Sequence, residues 1–456
     1  MPLDINSYAE IKKVPERRRG NYSAGDYIRK SYKGGWCYLV KGKENQIKTG
    51  GTTADVNSLY PSMMHSESGN VFPVGYPTFW KGDYIPDEAV GADKYYFVRI
   101  RTKFYLRHNY LPFIQIKDSL IYRGTECLTT SMYYDKKSGQ YYEEYIEDFS
   151  SLLSPDNPDA EKLKNIKDTY VILTLTMTDF KLMQEHYVLK DCTILDGCYF
   201  YAVKGIFDEY IDKYKKIKME SEGAIREIAK LFLNNLYGKM ATNMDSSFKY
   251  AYLKDGIVSF AYVEQYEKKP GYIAIGSAIT SYARNFTIRA AQANFHGVDK
   301  PGFIYADTDS IHCDLKPRDI VGIKVDPVNF CCWKLESCWD KAIFVRQKTY
   351  IEHITHENEI PVEELKDKKG NPKRPYYNVK CAGMPEKCKD LFIKSMEDYQ
   401  IKDTDEFCEE ELNIINKHYD MNDFKIGLSL YGKLRPVRID GGVVLMDTPY
   451  IMREIL

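Results

Sequence analysis

The chain has 456 residues and a net charge of −1. That length can bury a core spread over about two to four units, and the near-neutral balance excludes a uniformly basic nucleic-acid binder, so any groove for a polyanion must come from local segregation of charge. No signal peptide or membrane-length apolar run is visible and the 11 cysteines show no paired CxxC spacing, which predicts a protein of the reducing cytoplasm, with no membrane partner and with reduced core thiols.

Residues 1–31 are polar and read as a tail, with a basic cluster at Lys12, Lys13, Arg17, Arg18 and Arg19. Tyr32-Lys33-Gly34-Gly35 taken alone is a plain turn, and Gly50-Gly51 punctuates the approach to the next element. Residues 52–56 read as a strand end. Pro61 suits the first turn of a helix, where its missing N–H costs nothing. Asp55 therefore sits at a strand-to-helix switch, within Asp55-Val56-Asn57-Ser58-Leu59-Tyr60-Pro61-Ser62.

A long stretch, 67–205, follows. It holds strand-like runs at 95–101 and 112–117, a polar segment at 136–168 with Pro155 and Pro158, and an acidic run at 143–148. Residues 207–239 read as helical. Lys213, Lys215, Lys216 and Lys218 make a local basic patch, and Ile225, Ile228, Ala229, Phe232 and Leu236 recur at helical spacing as an expected buried stripe. Arg226, Lys230, Asn234 and Tyr237 fall on an adjacent face. Two cations, an amide and a ring suit something anionic and planar, such as a nucleoside triphosphate.

Residues 241–273 are irregular and strand-rich, with a turn at 252–256, and 274–291 read as a helix. Tyr305-Ala306-Asp307-Thr308-Asp309-Ser310 follows an apolar lead-in and reads as strand, tight turn and second strand with both carboxylates near the tip. Carboxylates so placed repel each other unless a cation lies between them. Hard oxygen ligands of this kind suit Mg²⁺, bound through one or two carboxylates plus substrate phosphates. Cys331, Cys332 and Cys338 lack a fourth partner at zinc-finger spacing. Residues 344–351 read as one strand on which Lys348 and Tyr350 point the same way. Residues 404–418 read as an acidic helical insert whose run 409–411 is solvated surface.

Three segments, DVNSLYPS, KLFLNNLYG and YADTDS, resemble motifs A, B and C of family B DNA polymerases in the right order. The finer resemblance is to the protein-primed branch of phages and plasmids with linear genomes. It is carried by YKGG at 32–35, Lys348-Thr349-Tyr350, Val379-Lys380-Cys381-Ala382-Gly383-Met384 and Asp440-Gly441-Gly442-Val443-Val444-Leu445. The resemblance runs from about Tyr32 nearly to the end.

It implies an α+β right-hand fold of palm, fingers and thumb with the branch's two insertions. On this map residues 1–31 form the tail and 32–66 the first part of the palm. Residues 67–205 form the insertion that contacts the terminal protein and template, and 206–240 the fingers. Residues 241–273 form the insertion for strand displacement and processivity, 274–376 the rest of the palm, and 377–456 the thumb and C-terminal region. Family members usually carry an N-terminal 3′–5′ exonuclease with DxE and YxxxD motifs. Only about thirty residues precede YKGG here, and none forms a DxE, so the expectation is that proofreading has no home in these residues.

The resemblance further implies a DNA-directed DNA polymerase working by two-metal nucleotidyl transfer. Asp55, Asp307 and Asp309 are the expected catalytic carboxylates, with Asp55, the Val56 carbonyl and Asp309 as metal ligands for two Mg²⁺ ions, which Mn²⁺ can replace. Lys218 and Lys230 are expected on the triphosphate, Asn234 and Tyr237 along the nascent base pair, and Tyr60 beneath the sugar, excluding a 2′-hydroxyl. Tyr32, Gly34, Gly35, Lys348, Tyr350 and Lys380 are expected on DNA. The implied partners are template and primer DNA, dNTPs, a terminal protein as primer, and a separate exonuclease or single-stranded-DNA-binding protein. The competing reading is a catalytically silent replication scaffold, against which the intact carboxylates weigh. A reverse transcriptase usually carries adjacent aspartates where this chain has Asp307-Thr308-Asp309.

Overall fold

The computed structural model describes residues 23–116, 126–131, 134–135, 140–141, 170–242, 249–254, 257–262, 271–367, 370–397, 406–440 and 442–454. The basic cluster at 12–19, the acidic run 143–148 and most of the polar segment 136–168 lie outside them. The chain divides into two compact units. One comprises Met1–Trp36, Val56–Arg289 and Val328–Cys332; the other comprises Cys37–Asp55, Ala290–Pro327 and Trp333–Leu456.

The first unit is built on a four-stranded antiparallel sheet, ordered Phe72–Lys81, Tyr187–Val203, Lys94–Leu106 and Val171–Thr176. The third of these strands is buried along nearly its whole length, with only Arg101 exposed. Gly197 is required where the sheet is tightest. A Cβ there would lie 2.2 Å from the Trp80 ring and 2.6 Å from the Phe97 carbonyl oxygen. The helix Ile273–Ala293, expected at 274–291, is almost wholly buried from Ile273 to Ser281, as its apolar, small-residue surface on all sides demands. Its first turns join Phe72, Tyr95, Phe97, Phe200 and Phe207 in one core.

Three expectations are corrected in this unit. Residues 112–116 form only the isolated bridge Ile114–Leu128 rather than a strand, while the strand Tyr187–Val203 and the helix Met177–His186 were not foreseen. The helical stretch 207–239 breaks at Ser221-Glu222 into Asp208–Glu220 and Gly223–Met240. On the second helix the buried residues are Ala229 and Leu233, whereas Ile225, Ile228 and Phe232 are 59%, 51% and 46% exposed. Apolar spacing gives a helix its period, but the face that packs is set by its neighbours. Within 241–273, the described strands Lys249–Lys254 and Ile257–Tyr262 pair antiparallel, while 243–248, 255–256 (the end of the expected turn) and 263–270 lie outside the described residues.

The second unit carries a nine-stranded sheet, ordered Cys37–Leu39, Phe303–Asp307, Ser310–Cys313, Gly51–Val56, Trp333–Arg346, Thr349–Glu357 and Ile360–Pro361. Ile47–Lys48 and Tyr376–Cys381 pair from the side. The boundary expected at 376/377 thus falls inside a strand of this sheet. Gly51 is obligatory, since a Cβ there would meet the Trp339 ring at 2.2 Å and the Cys313 carbonyl at 2.4 Å. A separate core of Cys388, Leu391, Phe392, Ile414, Ile415 and Phe424 packs helices Glu386–Met396 and Glu409–Ile415 on the hairpin Ser429–Ile439 and Gly442–Ile451. The acidic run 409–411 is not all solvated surface. Glu411 is buried, caps the Cys408 N–H at 2.8 Å and pairs with Lys387 at 2.5 Å. It is the N3 member of a capping box, a position that draws a carboxylate inward.

The described cysteines are free thiols, mostly buried. Among the described residues, no helix is long and apolar enough to cross a membrane.

Candidate active site

In the second unit, Phe303–Asp307 and Ser310–Cys313 pair directly, leaving Thr308-Asp309 as a two-residue turn. Ser310 pairs in turn with Asp55 across the next strand. This register brings Asp55 beside the hairpin tip that carries Asp307 and Asp309. The three carboxylates line one cleft of about 680 Å³ with Lys334, Glu336, Tyr350 and Lys380.

Burial pushes the Asp55 carboxyl up to about 7; the Asp309 and Glu336 carboxylates add to the shift and Lys334 opposes it. Burial likewise raises Asp309, with Asp307 and Glu336 contributing. Two partly buried carboxylates that resist ionising together are the donor set of a hard cation. Among the described residues no three His, Cys, Asp or Glu side chains converge as a metal site. The two carboxylates, Asp55 and Asp309, are the residues that would hold a divalent cation here. Val56, next to Asp55 on the strand Gly51–Val56, is buried.

The electrostatics give a pH prediction. A carboxyl whose folded value is raised binds its proton more tightly when folded. Its favourable contribution is therefore present near pH 4 and is lost as pH rises to about 7. Asp55→Asn should melt higher than the unmodified protein in EDTA at pH 8, by on the order of 2 kcal/mol, with the gap closing toward pH 4. Thermal melts across that range check it, and equal melts at pH 8 would contradict it.

Beneath the hairpin lies a buried polar network that sequence spacing did not reveal. Glu352 Oε1 lies 2.7 Å from His312 Nδ1 and accepts from Thr53 Oγ1 at 3.1 Å; its Oε2 accepts from Asn378 Nδ2 at 3.1 Å. The network ties the Asp55 strand, the motif C hairpin and the Tyr350 strand together. Removing one member leaves buried partners unsatisfied, so Glu352→Ala should cost about 3 kcal/mol in urea unfolding and Glu352→Gln much less. Near-equal losses would mean that the hydrogen bonds contribute little.

The Lys348 segment is corrected. Residues 344–351 are not one strand: Gln347-Lys348 forms the turn between Trp333–Arg346 and Thr349–Glu357. Lys348 therefore does not share a strand face with Tyr350. Its Nζ sits 2.6 Å from Asp307 Oδ1, and its N–H donates to the Tyr305 hydroxyl at 2.9 Å. Tyr350 is 8% exposed and stacks on Phe344. Lys380 pairs in register with Tyr350 and is exposed.

In the first unit, Tyr60 stacks on Tyr237 with centroids 4.0 Å apart and planes 25° apart. Lys218 Nζ donates to Ser58 Oγ at 3.1 Å. Motif A's Tyr60 thus meets the motif B helix, on which Lys230 and Asn234 are exposed. Tyr32 packs against the same core; burial raises its phenol, with Tyr237 adding to the shift and Arg284 and Arg29 opposing it. A Cβ on Gly34 would meet nothing within 4 Å, so the space over this glycine is open.

Sequence reasoning missed Arg284, Asp179, Lys334 and Glu336. Arg284 is buried, pairs with Asp179 and donates to the Lys33 and Gly34 carbonyls at 2.7 and 2.9 Å.

Three motif residues without glycine's freedom adopt left-handed backbone: Ser58 at φ 50°, Thr308 at 64° and Lys348 at 57°. Each such residue costs about 1–2 kcal/mol, and strain of this kind gathers where function fixes the chain.

The family model described as DNA polymerase type B, organellar and viral, matches residues 21–318. The chain is 34% identical to the DNA polymerase of Bacillus phage phi29 over 429 residues, covering 93% of this chain and 62% of that protein. It is 30% identical to the DNA polymerase of Streptococcus phage Cp-1 over 409 residues, covering 88% and 56%. Phi29 DNA polymerase complexed with primer-template DNA and incoming nucleotide substrates aligns with a TM-score of 0.69 at 32% identity, covering 98% of this chain and 66% of that one. The chain therefore spans about 62% of the length of the phi29 relative. With motifs A, B and C in order and the three aspartates gathered in one cleft, the chain belongs to the organellar and viral type B DNA polymerases.

Proposed function

We propose that the protein is a DNA-directed DNA polymerase of the protein-primed branch, replicating a linear phage, plasmid or mobile-element genome in the cytoplasm of its host. The observation that carries this is that Asp55, Asp307 and Asp309 line one cleft, where burial raises the Asp55 and Asp309 carboxyls and neighbouring carboxylates add to both shifts. Mg²⁺ held by Asp55, Asp309 and the Val56 carbonyl would activate the attacking hydroxyl and neutralise the departing pyrophosphate.

The chain's own residues do the rest. Lys348 holds Asp307 at 2.6 Å and so restrains the hairpin tip. Lys218 and Lys230 neutralise the triphosphate. Tyr60, fixed by its stack on Tyr237, sets the floor of the sugar site, and Asn234 with Tyr237 lines the nascent pair. Tyr32, Gly34 and Gly35 admit template backbone, and Lys380 and Tyr350 meet the primer strand.

Extension of a labelled DNA primer with Mg²⁺ and dNTPs tests the reading. Extension on a DNA template and not on RNA is expected; activity on RNA alone would replace the assignment. For priming, the terminal protein of the same genetic element should become covalently labelled by a dNTP. Deletion within 67–205 should impair that labelling more than DNA-primer extension. A terminal protein left unlabelled by an enzyme that extends DNA primers would remove protein priming and leave the polymerase.

A further inference from the structure

We propose that Lys334 is a tethered counter-ion of the carboxylate centre, setting how tightly the centre takes up divalent cations before substrate binds; this rests on the polymerase reading. Lys334 Nζ lies 3.5 Å from Asp55 Oδ1 and 3.2 Å from Glu336 Oε1. Lys334 and Glu336 are two apart on the strand Trp333–Arg346, so they share a face. That strand neighbours the Asp55 strand in the sheet, and both side chains line the cleft that holds Asp55 and Asp309.

The ammonium group thus occupies part of the electrostatic role that a metal ion would fill. A divalent ion bound to Asp55 would face this positive charge within a few ångströms, where repulsion is strong even in a partly solvated cleft. Lys334 also has somewhere to go. Glu336 is 48% exposed at its side chain and already holds the same Nζ, so releasing Asp55 does not strand the charge. The pairing therefore weakens metal binding by the free enzyme without blocking it, and favours loading together with a triphosphate that brings its own negative charge. Lys348, on Asp307, belongs to a separate pair.

The test is titration of the whole chain with Mn²⁺ alone, read by electron paramagnetic resonance, without DNA or nucleotide. Lys334→Met should bind the first Mn²⁺ about 5-fold or more tightly, and Lys334→Arg should stay near the unmodified protein. Lys334→Gln, which keeps a polar head, should follow Lys334→Met and serves if the methionine variant fails to fold. An unchanged or weaker Mn²⁺ affinity in the folded neutral variant overturns the counter-ion role. Asp55→Asn is the control. If it leaves Mn²⁺ binding unchanged, the metal centre itself is misassigned, an outcome distinct from failure of Lys334.

Discussion

Asp309→Ala is expected to lower nucleotide incorporation by about 10³-fold or more while leaving the fold and DNA binding largely intact. The magnitude follows from the role: a metal ligand contributes several kcal/mol of charge stabilisation at the reacting phosphate, and each 1.36 kcal/mol is tenfold in rate. The fold should survive because Asp309 lies in the turn, outside the paired strands, and its removal relieves repulsion rather than leaving a buried partner exposed. Asp55→Ala should behave alike. Asp307→Ala should also be severe, but through a different route, since it frees Lys348. Single-turnover extension and a gel shift on the same primer-template check both halves. Near-normal extension by Asp309→Ala would end the two-metal assignment.

The second large effect is expected at Tyr60. Its ring is held by the stack on Tyr237 and rests against the buried core of its unit, so it cannot simply swing aside from an extra hydroxyl. Tyr60→Val removes the ring and should raise the relative use of ribonucleotides by roughly 10–100-fold, the range over which steric pockets discriminate. Use of deoxynucleotides should fall far less. Competing rNTP and dNTP incorporation measures it, and unchanged discrimination would mean that the ring only packs.

Much of this site was legible because its chemistry is local. Asp307 and Asp309 are two apart at a hairpin tip, and the apolar lead-in Gly302-Phe303-Ile304-Tyr305 with the tight turn after it predicts that tip. Asp55 joined them through motif order, which the sheet register then explains in pairing terms. What escaped was long-range. Glu352, His312, Thr53 and Asn378 come together across up to 325 positions of sequence only because the strands that carry them, with Trp333–Arg346 between two of them, are neighbours in one sheet, and no periodicity reports that. Lys334 and Glu336 look like ordinary alternating surface charges on a strand until the neighbouring strand is known. The exposed Ile225 and Ile228 show the converse error, since helical spacing marks an apolar face whether or not it is buried. Lys348 was misplaced because nothing in Gln347-Lys348 resembles the Asn-Gly or Asp-Gly signature of a two-residue turn.

The most direct test of the centre is a crystal of the protein with a dideoxy-terminated primer, template and the next complementary dNTP, grown in Mn²⁺ and measured at the manganese absorption edge. Anomalous peaks in contact with the carboxylate oxygens of both Asp55 and Asp309, and with the nucleotide phosphates, are the predicted result. A bound nucleotide with manganese elsewhere, and with Asp55 and Asp309 touching none of it, would contradict the account.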